Sequence, residues 1–446
     1  AKKIVVLEKR DRPGGVSALA GGLFAAESPV QVRRWVDADR DRLFRKALDW
    51  AHWSQVDPRV LRAFIDRSGD TIRWLEDKGL EFDLISFYPD QDPPVQHNPR
   101  GHGAKLVQVL AQQCRERGVE LLLNTPVIKI TRSKQGRATG VLAEKDGGII
   151  EIRSRNVIIA TGGFCGNKEL FSRYFPSAYA SMTLSGLPLT GDGIIMAGEI
   201  GAAIEGFATV IKEGPRYDIH TWPLMALERD PTTIWVNKKG ERFTDEATGY
   251  HVFESVNAML RQPDQACFTL LDAGIRRHFE EKGLKLSRIT PASATKTPSL
   301  EKALQAGAAW DRIKIAGSWD DIAQRAGIDP QVLKETVERY NAFCDRGYDA
   351  DFAKERKYLL PLRTPPYYAI RDLAVLLDTV GGIRINERME VLDRQDNPIP
   401  GLYAAGVTTS GWEPENYCGE LNASAFGFAV TSGRIAGENT VRASLR

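Results

Sequence analysis

Cysteine is scarce in this chain: five residues in 446, at positions 114, 165, 267, 344 and 418. None forms a C-x-x-C pair, which excludes a zinc ribbon, an iron–sulfur run and a haem-attachment site. An odd number without framework spacing suits a reducing compartment, and a cytoplasmic location is expected. Net charge is almost missing too. Lysine plus arginine number 60 against 58 acids, a formal +2. That balance disfavours nucleic acid or an anionic membrane as partner. No apolar run approaches the ~20 residues of a membrane-spanning helix. No histidine pair has metal-ligand spacing, so no metal site is expected, and His97, His102, His220 and His251 read as surface or hydrogen-bonded residues. A G-x-G-x-x-G turn is also absent. What remains is a chain that binds a small molecule.

Apolar residues make up 42%, and the length calls for two or three structural units. Lys2–Lys9 is a short apolar run that ends in Glu8 and Lys9, the pattern of a buried parallel strand. In dinucleotide-binding folds an acid at a strand end holds a ribose, about 20 residues after a Gly-rich turn. Here that turn would precede residue 1, so the numbering is expected to start inside such a unit. Next comes Arg12–Gly22, with two glycine pairs around Ser17. Glycine pairs let backbone amides approach a phosphate or ring edge. Strand-like runs follow at 118–123 and 127–130. Asn156–Gly163 and Ile399–Gly406 each run from a strand into a Gly turn, and Thr190–Gly193 is a tight turn before a helical stretch. Asp329 and Pro330 form an N-cap and first turn. Leu333, Val337, Tyr340 and Cys344 then recur at helical spacing up to Gly347, a C-cap.

Taken in order, the pieces VVLEKRDRPGG, SALAGG, VIIATGGF, LTGDG, VNKKGERFTDE, DTVGGIRIN, IPGLYAAG and FAVTSGRIAGEN resemble the fumarate reductase and succinate dehydrogenase flavoprotein family. That family includes 3-ketosteroid dehydrogenase-like members. The resemblance implies an α/β fold: a Rossmann-like FAD-binding domain made from both chain ends (1–205 and 372–446), with an inserted α+β cap domain at 206–371. Carried over by motif, Glu8 would hold the adenosine ribose, with Lys9 beside it. Gly14, Gly15 and Ser17 would face the pyrophosphate, and Gly21 and Gly22 the flavin ring. Val127 would offer backbone to the adenine. Ala160, Thr161, Gly162, Asp192, Ala405 and Gly406 would line the cofactor. Asn422, Ala423 and Ser424 would open a helix whose amides meet the flavin pyrimidine. The family's covalent members use a histidine near SALAGG. None stands there, so non-covalent FAD is implied.

The chain departs from the fumarate reductases at three charges. Their proton-donating arginine after RF-x-(N/D)-E is replaced by Tyr250, and the histidine before T-x-G-G by Asp378. Their carboxylate-gripping C-terminal arginine falls in Tyr417–Glu420, where Glu420 would repel a dicarboxylate. Tyrosines here, with a Tyr-x-Gly at 417–419, resemble the ketosteroid enzymes. Tyr250, Tyr417, Tyr88 and Asp378 are therefore the catalytic candidates. A tyrosine would work near neutrality if its neighbours lowered its value of about 10. The leading expectation is hydride transfer between flavin N5 and a carbon–carbon bond beside a carbonyl, with an external electron donor or acceptor. The alternatives are a reductase of a small unsaturated acid, anchored by Arg229 or Arg384, and a flavoprotein remnant without activity.

Overall fold

The computed structural model describes the chain except for residues 1–2, 87–90, 176–182, 185–188, 215–223, 225–226, 283–298, 310, 416 and 446. Tyr88 and His220 lie outside the described residues. Four strands and two helices position the site: β1 (Val5–Leu7), β2 (Val157–Ile159), β3 (Tyr367–Ile383), β4 (Pro398–Ala404), α1 (Asp192–Glu199) and α2 (Ser424–Leu445). The fold is α/β.

Parallel pairing joins distant parts of the chain. β1 pairs with Glu120–Leu122, Val5 opposite Glu120. β2 pairs in parallel with β4, Val157 opposite Leu402, and β4 pairs antiparallel with Glu390–Leu392. A separate antiparallel meander occupies Val127–Arg132, Ala138–Lys145 and Gly148–Arg153. The core beneath these strands mixes both chain ends, from Phe24 and Phe64 to Phe428 and Ala436. α2 holds it together. Phe428 is fully buried, stacked on Trp412 at 4.4 Å and edge-on to Phe64 at 5.3 Å. Burying such a ring stabilises the fold by about 1.5–3 kcal/mol.

The second core runs from Leu224 to Ile370. Its six-stranded sheet is organised by β3, a 17-residue strand. β3 pairs antiparallel with Ile204–Gly214, Ala266–Asp272 and Ile313–Ala316. β3 and Ile204–Gly214 both run across the positions where the sequence motifs divide the chain, 371/372 and 205/206. The helix Pro330–Arg346 packs on this sheet. Asp329 caps it through the amides of Gln331 and Val332, Leu333, Val337 and Tyr340 are buried, and Gly347 ends it in the left-handed region. Beneath it lies a buried ion network. Arg242 donates to Glu246 at 2.8 and 2.9 Å and to Asp349 at 3.0 Å, and Lys354 meets Glu246 at 3.0 Å. Burial pushes the Glu246 carboxyl up, but the Lys354 and Arg242 charges outweigh it and hold it below the usual range. Among the described residues, no helix is long and apolar enough to cross a membrane.

Candidate active site

The ends of β1 and β2 meet at the N-terminus of α1. Beyond β1, the Glu8 amide donates to Leu122 O, its carbonyl accepts from Thr125, and its carboxylate accepts from the Arg10 amide at 2.9 Å. The Lys9 ammonium reaches Asp192 at 2.8 Å and the Thr190 hydroxyl, which itself donates to Asp192 at 2.7 Å. Beyond β2, Ala160 and Thr161 are exposed, and Gly162 follows. A side chain at Gly193 would put its Cβ 2.3 Å from the Thr161 hydroxyl oxygen, so only glycine lets α1 approach this turn. Lys9, Thr161 and Asp192, assigned together from the motifs, thus share one corner.

The glycine-rich segment behaves unevenly. Gly14 has φ +117°, closed to most side chains, and caps a 3-10 turn, Gly15–Leu19, that contains Ser17. Gly15 and Gly21 face open space, whereas Gly22 is buried beneath Gln96 and Asn98. Val127 begins its strand opposite Ala143 and is half-buried.

From the other end of the chain, the Ala405 amide donates to Ile159 O at 2.9 Å and the Gly406 amide to the Ser432 hydroxyl at 2.9 Å. The Asn422 side-chain amide donates to the Gln96 side chain, Ala423 O accepts from Phe24, and the Ser424 hydroxyl donates to Glu413 at 3.0 Å. The Ala425 amide, in the first turn of α2, donates to the Tyr417 hydroxyl at 2.9 Å.

The catalytic candidates bring corrections. Tyr250 is buried, its ring 6.2 Å from that of Tyr358. Burial, then the neighbouring Asp230 and Tyr358, push its hydroxyl well above the ordinary tyrosine value. Tyr417 is also buried and pushed up, by burial and then by Glu413. The condition that neighbours lower these values is not met: at Tyr250 burial, Asp230 and Tyr358 all raise it, and at Tyr417 burial and Glu413 outweigh the bonds from Ala425 and Ser424 that lower it. Asp378, in β3, is 9% exposed and accepts from the Thr379 amide at 2.7 Å. Burial pushes its carboxyl up to about 7 against that bond. It packs against Gly163 of the A-T-G-G turn: a Cβ on Gly163 would lie 2.5 Å from its Oδ1. Glu420 does not stand free to repel an anion, because it pairs with Lys46 at 2.9 Å. Arg384 is bound to Glu205 and Asp396, while Arg229 is buried against Gly249. His97 is a hydrogen-bonded residue, as expected, and it is buried. Its ring lies between the Ser28 hydroxyl at 2.6 Å and Val95 O at 3.0 Å, and burial lowers it to about 4.

Three residues beside the candidates escaped the sequence reading: Asp230, Tyr358 and Glu413. Glu413 is 3% exposed, and burial pushes it up to about 8. Nothing in Trp412–Glu420 distinguishes it by sequence from Glu415 or Glu420.

This assembly of strand ends and helix N-termini is that of an FAD-dependent oxidoreductase. The chain belongs to the FAD binding domain family, which it matches over residues 1–419. It is 27% identical over 455 residues to the vinyl phenol reductase of Lactiplantibacillus plantarum, covering 98% of this chain and 91% of that protein. It is 28% identical over 450 residues to a fumarate reductase (cytochrome) of Shewanella frigidimarina, covering 99% and 73%. Among solved structures, the open conformation of a flavocytochrome c3 fumarate reductase superposes with a TM-score of 0.76 at 26% identity, over 99% of this chain and 74% of that one. A 3-ketosteroid-Δ4-(5α)-dehydrogenase from Rhodococcus jostii gives 0.73 at 21% identity, over 98% and 91%, a likeness of fold.

Proposed function

We propose that this flavoprotein transfers hydride between flavin N5 and a carbon–carbon bond of a neutral substrate, adding it to a double bond or removing it from a single bond next to a carbonyl or a similar polar group. The observation that carries the reading is the pair Tyr250 and Tyr417. By motif, Tyr250 stands where the fumarate reductases carry an arginine, and Tyr417 opens the segment in which their C-terminal arginine falls. Both hydroxyls are buried and held protonated beside carboxyl groups, Asp230 and Glu413. At both of these positions the site offers a neutral hydrogen-bond donor in place of a charge that would grip a carboxylate. The name of the vinyl phenol reductase, whose substrate has no carboxylate, points the same way.

The residues present fit FAD. Gly15 and Gly21 leave their backbone open, Ala160 and Thr161 are exposed beyond β2, and Glu8 directly follows β1. These are the places where open parallel sheets bind dinucleotides. We assign the adenosine ribose to Glu8, the pyrophosphate to Gly14–Ser17, and the flavin to Gly21, Gly22 and the N-terminus of α2. Binding without a covalent link, electron exchange with an external partner, and a division into a flavin unit and a cap unit at 206–371 belong to the same reading. FAD, when bound, supplies the hydride donor or acceptor.

The chain's own groups then bind and protonate. Tyr417 and the Gly419 amide hold the substrate's polar atom and stabilise the negative charge that develops on it. Tyr250 orients the substrate. Asp378, near 7, is matched to carry a proton to or from the second carbon at neutral pH.

A second reading is favoured by one feature, the buried Arg229, and by the relatives named fumarate reductases: reduction of a small unsaturated acid. Steady-state turnover with a reduced dye donor separates the two. A kcat/KM for a neutral enone or vinyl phenol well above that for fumarate supports the proposal. The reverse order overturns it.

A further inference from the structure

Glu413 is a buried carboxyl that forms no ion pair among the described residues, and it stands between two elements of the site. Its Oε1 accepts from the Cys418 amide at 2.5 Å and its Oε2 from the Ser424 hydroxyl at 3.0 Å. One side chain therefore ties the loop residue Cys418 to the first residue of α2. The backbone before it is itself anchored. Trp412 stacks on Phe428 of α2, and its indole donates to Thr409 O at 3.0 Å. Beyond Cys418 the chain makes a single 3-10 turn, Gly419–Leu421, closed by Leu421 N to Cys418 O and Asn422 N to Gly419 O. Within this clamp the Tyr417 hydroxyl accepts from the Ala425 amide at 2.9 Å.

We propose that Glu413 is a positioning residue: it fixes the Tyr417 hydroxyl and the Gly419 amide against the N-terminus of α2 as one rigid donor pair for the substrate's polar atom. The claim rests on the reading of Tyr417 as a group that touches substrate. Geometry of this kind matters because a displacement of about 1 Å at a reacting centre can cost about a hundredfold in rate.

The two bonds by themselves favour the carboxylate, but burial outweighs them and favours the neutral carboxyl. Burial without a cation disfavours the carboxylate, and the titratable groups facing it, Tyr417 and Cys418, are themselves pushed up by burial and by Glu413. Glu420 adds a further negative charge near Cys418, and Lys46 pairs with it. Loss of the proton near pH 8 would put into this packed turn a charge with two hydrogen-bond donors but no cation among the described residues.

Hydrogen exchange of the Cys418 and Ala425 amides, read by mass spectrometry on the FAD-loaded enzyme, tests the clamp without needing the substrate. Glu413→Ala should exchange these amides roughly tenfold faster or more, the equivalent of one lost hydrogen bond. Glu413→Gln, which keeps the shape and one acceptor, should restore protection. Relative to intrinsic exchange, wild-type protection should fall between about pH 4.5 and 8 and stay level above, and that of Glu413→Gln should not. In turnover the wild-type kcat should show an alkaline limb near pH 8, absent in Glu413→Gln. Unchanged protection in Glu413→Ala, or identical pH profiles for wild type and Glu413→Gln, overturns the proposal. If protection behaves as expected but Tyr417→Phe turns over at the wild-type rate, the clamp stands and the substrate role of Tyr417 is wrong.

Discussion

Replacing Asp378 by Asn should make the protein more stable and less active. The carboxyl is buried, it accepts from the Thr379 amide, and its value is about 7, against about 3.9 when unfolded. Between these values the folded state holds a proton that the unfolded state has released, so stability falls as pH rises. The loss begins near pH 4 and is complete above pH 7, where it reaches ~4 kcal/mol at 1.36 kcal/mol per pH unit. Asparagine keeps the oxygen that accepts from Thr379 and cannot ionise. The difference between variant and wild type should be small at pH 4, grow to ~4 kcal/mol at pH 7, and stay level above. For a chain of this length that is a rise in Tm of ~4 °C at pH 8. Scanning calorimetry from pH 4 to 8 measures it. The same substitution removes the proposed proton carrier, so flavin reoxidation by substrate in stopped flow should slow by roughly 10²–10⁴-fold. A variant no more stable than wild type at pH 8, or a difference independent of pH, would refute the account of Asp378 as a strained buried acid.

Tyr250→Phe should bind FAD normally yet slow the flavin–substrate step by ~10²-fold, the usual effect of losing one preorganised donor; stopped flow at the wild-type rate would remove Tyr250 from the mechanism. Glu8→Ala should weaken FAD binding by about 1–3 kcal/mol, because ribose hydroxyls are left unpaired. An unchanged fluorescence titration would make Glu8 an ordinary surface acid. Arg242→Met should destabilise the second core by about 3–5 kcal/mol, since Asp349 loses its cation and Glu246 keeps only Lys354. Urea denaturation that shifts by less than about 1 kcal/mol would show the network to be dispensable.

Local patterns carried much of this protein on their own. The Asp329–Pro330 start and Gly347 stop bound a helix in the sequence as in the fold, because caps act on amides within one turn. The strand-to-glycine designs at 156–163 and 399–406 encoded two parallel strands, and the ordered motifs encoded the flavoprotein family. What the sequence could not hold was any property set by surroundings. Both tyrosines were legible as replacements for arginine, but the sign of their shift was not. It depends on burial and on Asp230 and Glu413, which are brought against the hydroxyls only by folding. Glu413 and Glu420 look equivalent in the chain. Packing sent one into the core without a cation and the other out to Lys46, 374 positions away. A short-range code can specify which backbone groups need partners. Desolvation and charge pairing are sums over neighbours in space, and only the tertiary structure chooses those neighbours.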